Sequence, residues 1–250
     1  MSKKLNKKEI KKFSRQIILK NIGPLGQKKI KQAKVLIVGV GGLGCPVAEF
    51  LVRAGVGNIG IVDDDIVDIS NIHRQSLYDT NDIKTSKVKS AKKKLKKINP
   101  NTIIKTFNLR INKINASKII KNYNYIVDGS DNFTTKFLLN DYAFKFKKFL
   151  VAGAISKFDG HLFTYNFRKK ETPCLRCFFQ EDKISDDILN CEYEGVIGTV
   201  AGILGTLQAN EVLKQILDIG QNLDGKILIL DLLNLRFRKA KIVKNKECIC

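Results

Sequence analysis

Lys34-Val-Leu-Ile-Val-Gly39-Val-Gly41-Gly42-Leu-Gly44 is an apolar strand that runs into a glycine turn and from there into a helix. Each glycine type in such a turn has a physical task. One allows the tight bend, one lets the backbone approach a phosphate, and one lets the helix pack on the strand. Orphan amides and the helix dipole then attract the anion. Further along, a second apolar strand ends at Asp63, where a carboxylate can accept hydrogen bonds from ribose hydroxyls. Gly39, Gly41, Gly42, Gly44 and Asp63 therefore read as a nucleotide site. The polar loop Ser70-Asn71-Ile72-His73-Arg74-Gln75 that follows is something a simple dinucleotide binder lacks.

Outward from this unit, apolar runs predict strands near 35–39, 58–63, 102–107, 124–128 and 149–153, with helical patterns between them. That alternation predicts an α/β fold: a Rossmann-like, doubly wound, mostly parallel sheet with helices on both faces and ligands at the strands' carboxyl ends. Asp63 and Asp128-Gly-Ser-Asp131-Asn132 fall at such ends. After Gly153 the pattern changes. HLFTYNF, KILIL and LRFRKAKIV read as strands around one long helix, Ile197 to Leu217, an antiparallel extension of the same unit. We expect a single domain over 1–250, comprising a basic, partly helical arm (1–30), a nucleotide-binding core (31–153) and a second part (154–250).

A chain of 250 residues can bury a sizeable core. No apolar run reaches membrane-spanning length, and MSKKLNKKEIKKF lacks the apolar region of a secretory signal, so a soluble, cytoplasmic protein is expected. The net charge of +21 invites a nucleic-acid reading. Lysine excess runs along the whole chain, however, and the densest run, Lys84 to Lys97, reads as a helix with Val88, Ala91, Leu95 and Ile98 on one side and solvated lysines elsewhere. No aromatic residues interleave there to stack bases, and nucleic acid is not the expected partner.

Six cysteines, four in close pairs, suit a metal site in a reducing compartment better than a disulfide framework. Cys174 and Cys177 have the CxxC spacing that presents two thiolates to one metal, and Cys248 and Cys250 could complete a structural Zn(Cys)4 site. The alternative is two reduced pairs. Cys45, just inside a helix, reads as a small packed side chain. His73 and His161 belong to no Ser-His-Asp or Cys-His constellation and read as non-catalytic. Asp128 is open between a functional role and a merely structural one, capping the helix or shaping the loop.

Taken together, Phe13-Ser14-Arg15-Gln16-Ile17, the GVGGLG turn, Asp63, SNIHRQ, Lys87, DGSDN, the CxxC pair, Cys191-Glu-Tyr-Glu-Gly-Val and Gly205-Thr-Leu-Gln-Ala-Asn-Glu resemble the ThiF/MoeB/HesA adenylyltransferases, bacterial relatives of ubiquitin-activating enzymes. The resemblance covers nearly the whole chain in order. It implies binding of ATP and Mg2+ and adenylation of the C-terminal Gly-Gly carboxylate of a small ubiquitin-like sulfur carrier, for thiamine or molybdopterin synthesis. By resemblance Asp63 holds the ribose, Asn71, Arg74 and Lys87 contact phosphates, and Asp131 positions Mg2+. Arg15 reaches into the partner's site of a homodimer, and 154–250 binds the carrier and Zn2+. The family's second cysteine pair is usually CxxC, whereas here it is Cys248-Ile-Cys250. Some members use the cysteine at Cys191 to link covalently to the carrier and others do without it, so a nucleophilic Cys191 stays open; the acids around it disfavour a thiolate. A tRNA-modifying dehydratase of the same superfamily and a noncatalytic subunit of a heterodimeric activating enzyme are the alternatives.

Overall fold

The computed structural model describes residues 5–170, 172–179 and 195–248. Its centre is one eight-stranded sheet in the order β3-β2-β1-β4-β5-β6-β7-β8. Strands β1 (Lys34–Val38), β2 (Asn58–Val62), β3 (Ile103–Phe107), β4 (Tyr125–Asp128) and β5 (Phe149–Ser156) pair in parallel. Strands β6 (Asp159–Asn166), β7 (Lys226–Asp231) and β8 (Arg236–Lys241) add on antiparallel beyond β5.

Parallel strands need crossover helices, and these cover both faces, so the central strands are apolar along their whole length. On β1, Val35 and Ile37 face one core with Leu51, Ile59, Leu95 and Leu204, while Leu36 and Val38 face the other with Ile120, Ile126, Phe137 and Leu150. The first face is covered by α3 (Gly23–Gln32), α4 (Gly44–Ala54), α5 (Lys87–Ile98) and α9 (Gly198–Leu217). The second is covered by α6 (Ala116–Ile120), α7 (Phe133–Lys145) and the short α8 (Leu175–Phe178). Helix α9 crosses α4 so closely that a Cβ on Gly205 would lie 2.5 Å from the carbonyl oxygen of Leu43.

The expected strands and the long helix are present with ends shifted by a residue or two, apart from β5, which runs three residues further than expected. The basic arm is less free than its charge suggests. It forms α1 (Lys7–Lys12), α2 (Ser14–Ile17) and α3, with Phe13 buried. Gln16 donates to Gln27 Oε1 at 2.9 Å, and Gln27 donates to the Ala54 carbonyl at 2.9 Å, tying α2 to the end of α4. In α5, Val88, Ala91 and Leu95 are buried as the helical spacing predicts, but so is Lys87, the first residue of that helix. No described helix is long and apolar enough to cross a membrane.

Candidate active site

Chain order reverses direction across the sheet between β1 and β4, and ligand crevices form at such switch points. A cleft of about 720 Å³ opens there at the carboxyl ends of β1, β2 and β4. Helices α4, α5 and α7 begin beside it, with Leu43, Lys87 and Asn132 in its lining, and helix N-termini favour anions.

The glycine turn forms the floor. Gly39 has φ +81°, and a Cβ there would sit 2.8 Å from the carbonyl oxygen of Gly129; on Gly44 a Cβ would meet the Gly39 oxygen at 1.9 Å. These two glycines make the bend and the helix contact, whereas Gly41 has only the Gln75 side chain within 4 Å of its imagined Cβ, at 3.6 Å. Gly41 and Gly42 both line the cleft. The Val40 peptide, between Gly39 and Gly41, is locked from both sides. Its N–H donates to Asp63 Oδ2 at 2.8 Å, and its carbonyl accepts from Tyr78 Oη at 2.9 Å and Cys45 Sγ at 3.2 Å. Asp63 Oδ1 takes the Asp65 N–H at 2.9 Å, and burial pushes the carboxyl above the usual range. Each oxygen keeps a second lone pair for a hydroxyl donor. Cys45 is the packed side chain expected, its thiol pushed up to about 12 by burial.

On the wall opposite, Asn71 and Arg74 stand on the SNIHRQ loop, as the sequence places them, and both line the cleft. Arg74 Nη1 donates to the Ser70 carbonyl and contacts His73 Nε2, each at 2.8 Å. Lys87 enters from the first turn of α5, and its Nζ meets Asp65 Oδ2 at 2.7 Å. Asp65 had no role in the sequence reading. The carboxylates of Asp63, Asp64 and Asp65 lie within 4.8 Å of one another, so the cationic wall faces an anionic rim.

At the end of β4, Asp128 caps no helix. The N-cap of α7 is Asn132, whose side chain accepts from the Thr135 N–H at 2.9 Å. Asp128 Oδ1 instead accepts from Ser130 N at 2.9 Å and Ser130 Oγ at 2.5 Å, and Oδ2 faces Lys136 Nζ at 3.2 Å. Lys136 also donates to the Gly153 carbonyl at 2.7 Å, and Gln208 of α9 donates to the Asp128 carbonyl at 2.8 Å. This network is buried and holds the turn that carries Asp131. The Asp131 carboxylate is exposed at the cleft and accepts only from Asn132 Nδ2, at 3.3 Å, among the described groups.

Arg15 is exposed on α2 and does not line the cleft of its own chain; Ile18 and Leu19 beside it are also exposed. His161 is half-buried on β6, and burial holds its imidazole below the usual value, so it is neutral at pH 7. The sulfurs of Cys174, Cys177 and Cys248 lie within 4.8 Å of one another, Cys174 and Cys248 at 3.5 Å. Three clustered thiols suit a soft, tetrahedral metal such as zinc. Cys191 and Cys250 lie outside the described residues.

The model of the ThiF family matches residues 13–250. A sulfur carrier protein adenylyltransferase of Thermus thermophilus is 40% identical over 245 residues, covering 97% of this chain and 90% of that one. The adenylyltransferase and sulfurtransferase MOCS3 of Culex quinquefasciatus is 41% identical over 247 residues. That match covers 98% of this chain but 56% of MOCS3, so the chain spans about half the length of that relative. Among solved structures, Escherichia coli MccB crystallised with ATP superposes with a TM-score of 0.78 at 23% identity, over 89% of this chain and 67% of MccB, a likeness of fold.

Proposed function

This chain belongs to the ThiF family, and from that premise we propose that it adenylates the C-terminal Gly-Gly carboxylate of a small ubiquitin-like sulfur-carrier protein with ATP. The names of the Thermus and Culex relatives support an adenylyltransferase acting on a sulfur carrier. The observation that carries the reading is the meeting of the glycine turn, Asp63, Asn71, Arg74, Lys87 and Asp131 in one cleft. The product would serve thiamine or molybdopterin synthesis.

Attack of a carboxylate oxygen on the α-phosphorus forms one P–O bond and breaks the bond to the leaving pyrophosphate. No protein nucleophile takes part. What the step needs is alignment of two anions and neutralisation of charge on the leaving group. Asp63, with a lone pair left on each oxygen, would take the ribose hydroxyls. Asn71, Arg74 and Lys87 would hold the polyphosphate; Lys87 would exchange its contact with the exposed Asp65 for one with a phosphate oxygen. Asp131, a free-standing carboxylate, fits Mg2+, which would screen charge on the polyphosphate. Arg15, exposed beside apolar Ile18 and Leu19, would serve the other cleft of a homodimer. Cys174, Cys177, Cys248 and Cys250 would hold a structural Zn2+ in the carrier-binding part, residues 154–250. Cys191 would be the thiol that takes the acyl group from the adenylate, forming a thioester as the acyl–phosphate C–O bond breaks and AMP leaves.

Pyrophosphate exchange into ATP, measured with Mg2+ and in turn a thiamine-type carrier, a molybdopterin-type carrier and tRNA, tests the reading. We expect exchange with one Gly-Gly carrier and its loss in Asp131→Ala. Silence with both carriers but activity with tRNA would move the chain to the dehydratase branch. Silence throughout would make it a binding subunit.

A further inference from the structure

Gln75 ends the SNIHRQ loop, and its side chain is almost wholly buried, at 3% exposure. Its backbone is fixed: the N–H donates to Asn71 O at 3.0 Å and the carbonyl accepts from Tyr78 N at 3.0 Å. Its side-chain amide is not. Oε1 is buried without a hydrogen-bond partner among the described residues, and no described group accepts from Nε2. Buried amides are nearly always paired, because an unmade hydrogen bond costs the full desolvation of the group. An amide kept unpaired is therefore a departure that needs a cause.

Its surroundings give one. The side chain lines the cleft, and Nε2 lies 3.6 Å from the point where a Cβ on Gly41 would be. Gly41 belongs to the turn that opens α4, where amides and helix dipole favour an anion. The neighbouring cations Arg74 and Lys87 already have described partners, in Ser70 and Asp65. The amide is a neutral donor and adds no charge to desolvate. Its Nε2 stands beside Gly41 of the glycine floor.

We propose that Gln75 is a phosphate-reading residue, donating Nε2–H to a phosphoryl oxygen of a nucleotide seated on Gly41. The inference rests on the nucleotide reading of the cleft and deepens it, since it adds a side-chain donor to the glycine turn. Oε1 is an acceptor and gains nothing from a phosphate, so the assignment rests on Nε2, a donor with no described acceptor that stands beside Gly41. The same reasoning separates this role from a structural one. A residue present only to pack would be weakened by any replacement, whereas Gln75→Met, which fills similar volume without polar atoms, removes an unpaired group and should stabilise the ligand-free protein.

The test is binding of ATP, ADP, AMP and adenosine by titration calorimetry or competition, with Mg2+, together with thermal unfolding of the ligand-free protein, on wild type, Gln75→Met and Gln75→Glu. We expect Gln75→Met to raise Tm by roughly 2–4 °C and to weaken ATP binding about tenfold or more while leaving adenosine binding unchanged. The point in the series where the penalty first appears identifies the phosphate. Gln75→Glu, which sets a charge against the phosphates, should be worse than Gln75→Met for ATP. An equal loss for ATP and adenosine, an unchanged ATP affinity, or a lowered Tm in Gln75→Met would overturn the assignment. Wild type that binds no ATP would overturn it together with the nucleotide reading. ATP binding without pyrophosphate exchange would refute adenylation alone and leave the Gln75 result to stand on the binding data.

Discussion

Replacing Lys136 by Met keeps the length of the side chain and removes its charge at a place where almost no water can compensate. Lys136 and Asp128 have side chains 4% and 1% exposed. The substitution deletes the ammonium's hydrogen bonds to Asp128 Oδ2 and to the Gly153 carbonyl. Ser130 then still satisfies Asp128 Oδ1, but Oδ2 is left as a buried anionic oxygen without a donor. Removing one partner of a buried pair costs about 3–5 kcal/mol, because the remaining charge is desolvated and uncompensated. That is a large part of the ~5–15 kcal/mol by which a domain is stable. In urea the midpoint should fall by roughly 1–2 M with little change of slope.

The double variant Lys136→Met/Asp128→Asn should recover much of the loss, since it removes both charges. A double-mutant cycle should give a coupling of about 2 kcal/mol or more. Because Asp128 holds Ser130, and the same turn carries Asp131, the single variant should also slow pyrophosphate exchange more than it weakens ATP binding. A midpoint shift below roughly 0.3 M, or a cycle without coupling, would refute the reasoning. Either would mean that the pair is solvated or that the helix relaxes to let water in.

Asp63 supplies a pH test. Burial raises its folded-state pKa, so in the window just above the ordinary carboxylate value the native state binds more protons than the unfolded chain. Stability therefore falls as pH rises through the raised pKa, and Asp63→Asn should remove that share of the slope in melts from pH 4 to 7, even though it is less stable throughout. Cys174→Ser should lower the zinc content of purified protein, measured by metal analysis, and reduce Tm; equal metal in both proteins would dissociate the thiol cluster from zinc. Cys45, with its thiol pushed up to about 12, has a thiolate fraction on the order of one in ten thousand at pH 8, so iodoacetamide should leave it unmodified in folded protein and label it once the chain is unfolded in urea.

The strand-and-turn frame was legible because its signals are local. Val35 to Val38 have to be apolar on both faces of a covered parallel strand, and Gly39 and Gly44 answer to backbone constraints that sit within a few residues of them. Asp63, Asn71, Arg74, Lys87 and Asp131 could be proposed for the same cleft because each lies at or just beyond a strand's carboxyl end, and the fold gathers those ends. Lys136 was not legible. In a chain with 45 basic residues nothing in the sequence marks one lysine as buried, and its partners, Asp128 and the Gly153 carbonyl, come from two different strands. Asp128 was misleading for a related reason. An acid at a strand end just before a helix has the spacing of a cap, but the helix starts late enough for Asn132 to take that task. Tyr78 and Asp65 were missed because their work is to hold a peptide and to ion-pair a lysine, and neither has a spacing signature.

These omissions share a physical pattern that bears on how the cleft works. The residues given a nucleotide role from the sequence line the cleft, while side chains given no such role hold peptide groups in place behind them: Tyr78 and Cys45 on the Val40 carbonyl, Gln208 on the Asp128 carbonyl, Lys136 on the Gly153 carbonyl. Each ties a loop at the end of one strand to a different element. A reaction that joins two anions needs its amides and cations fixed before the ligands arrive, since reorganising dipoles at that moment would add to the barrier. The buried supports meet that need, and Gln75 departs from it, having a fixed backbone and an unpaired amide. Loosening a support, as in Lys136→Met, should therefore reduce the rate at saturating ATP, whereas removing the unpaired donor, as in Gln75→Met, should act on ATP affinity. Variants at the two positions that shifted the same kinetic parameter in the same proportion would contradict this division.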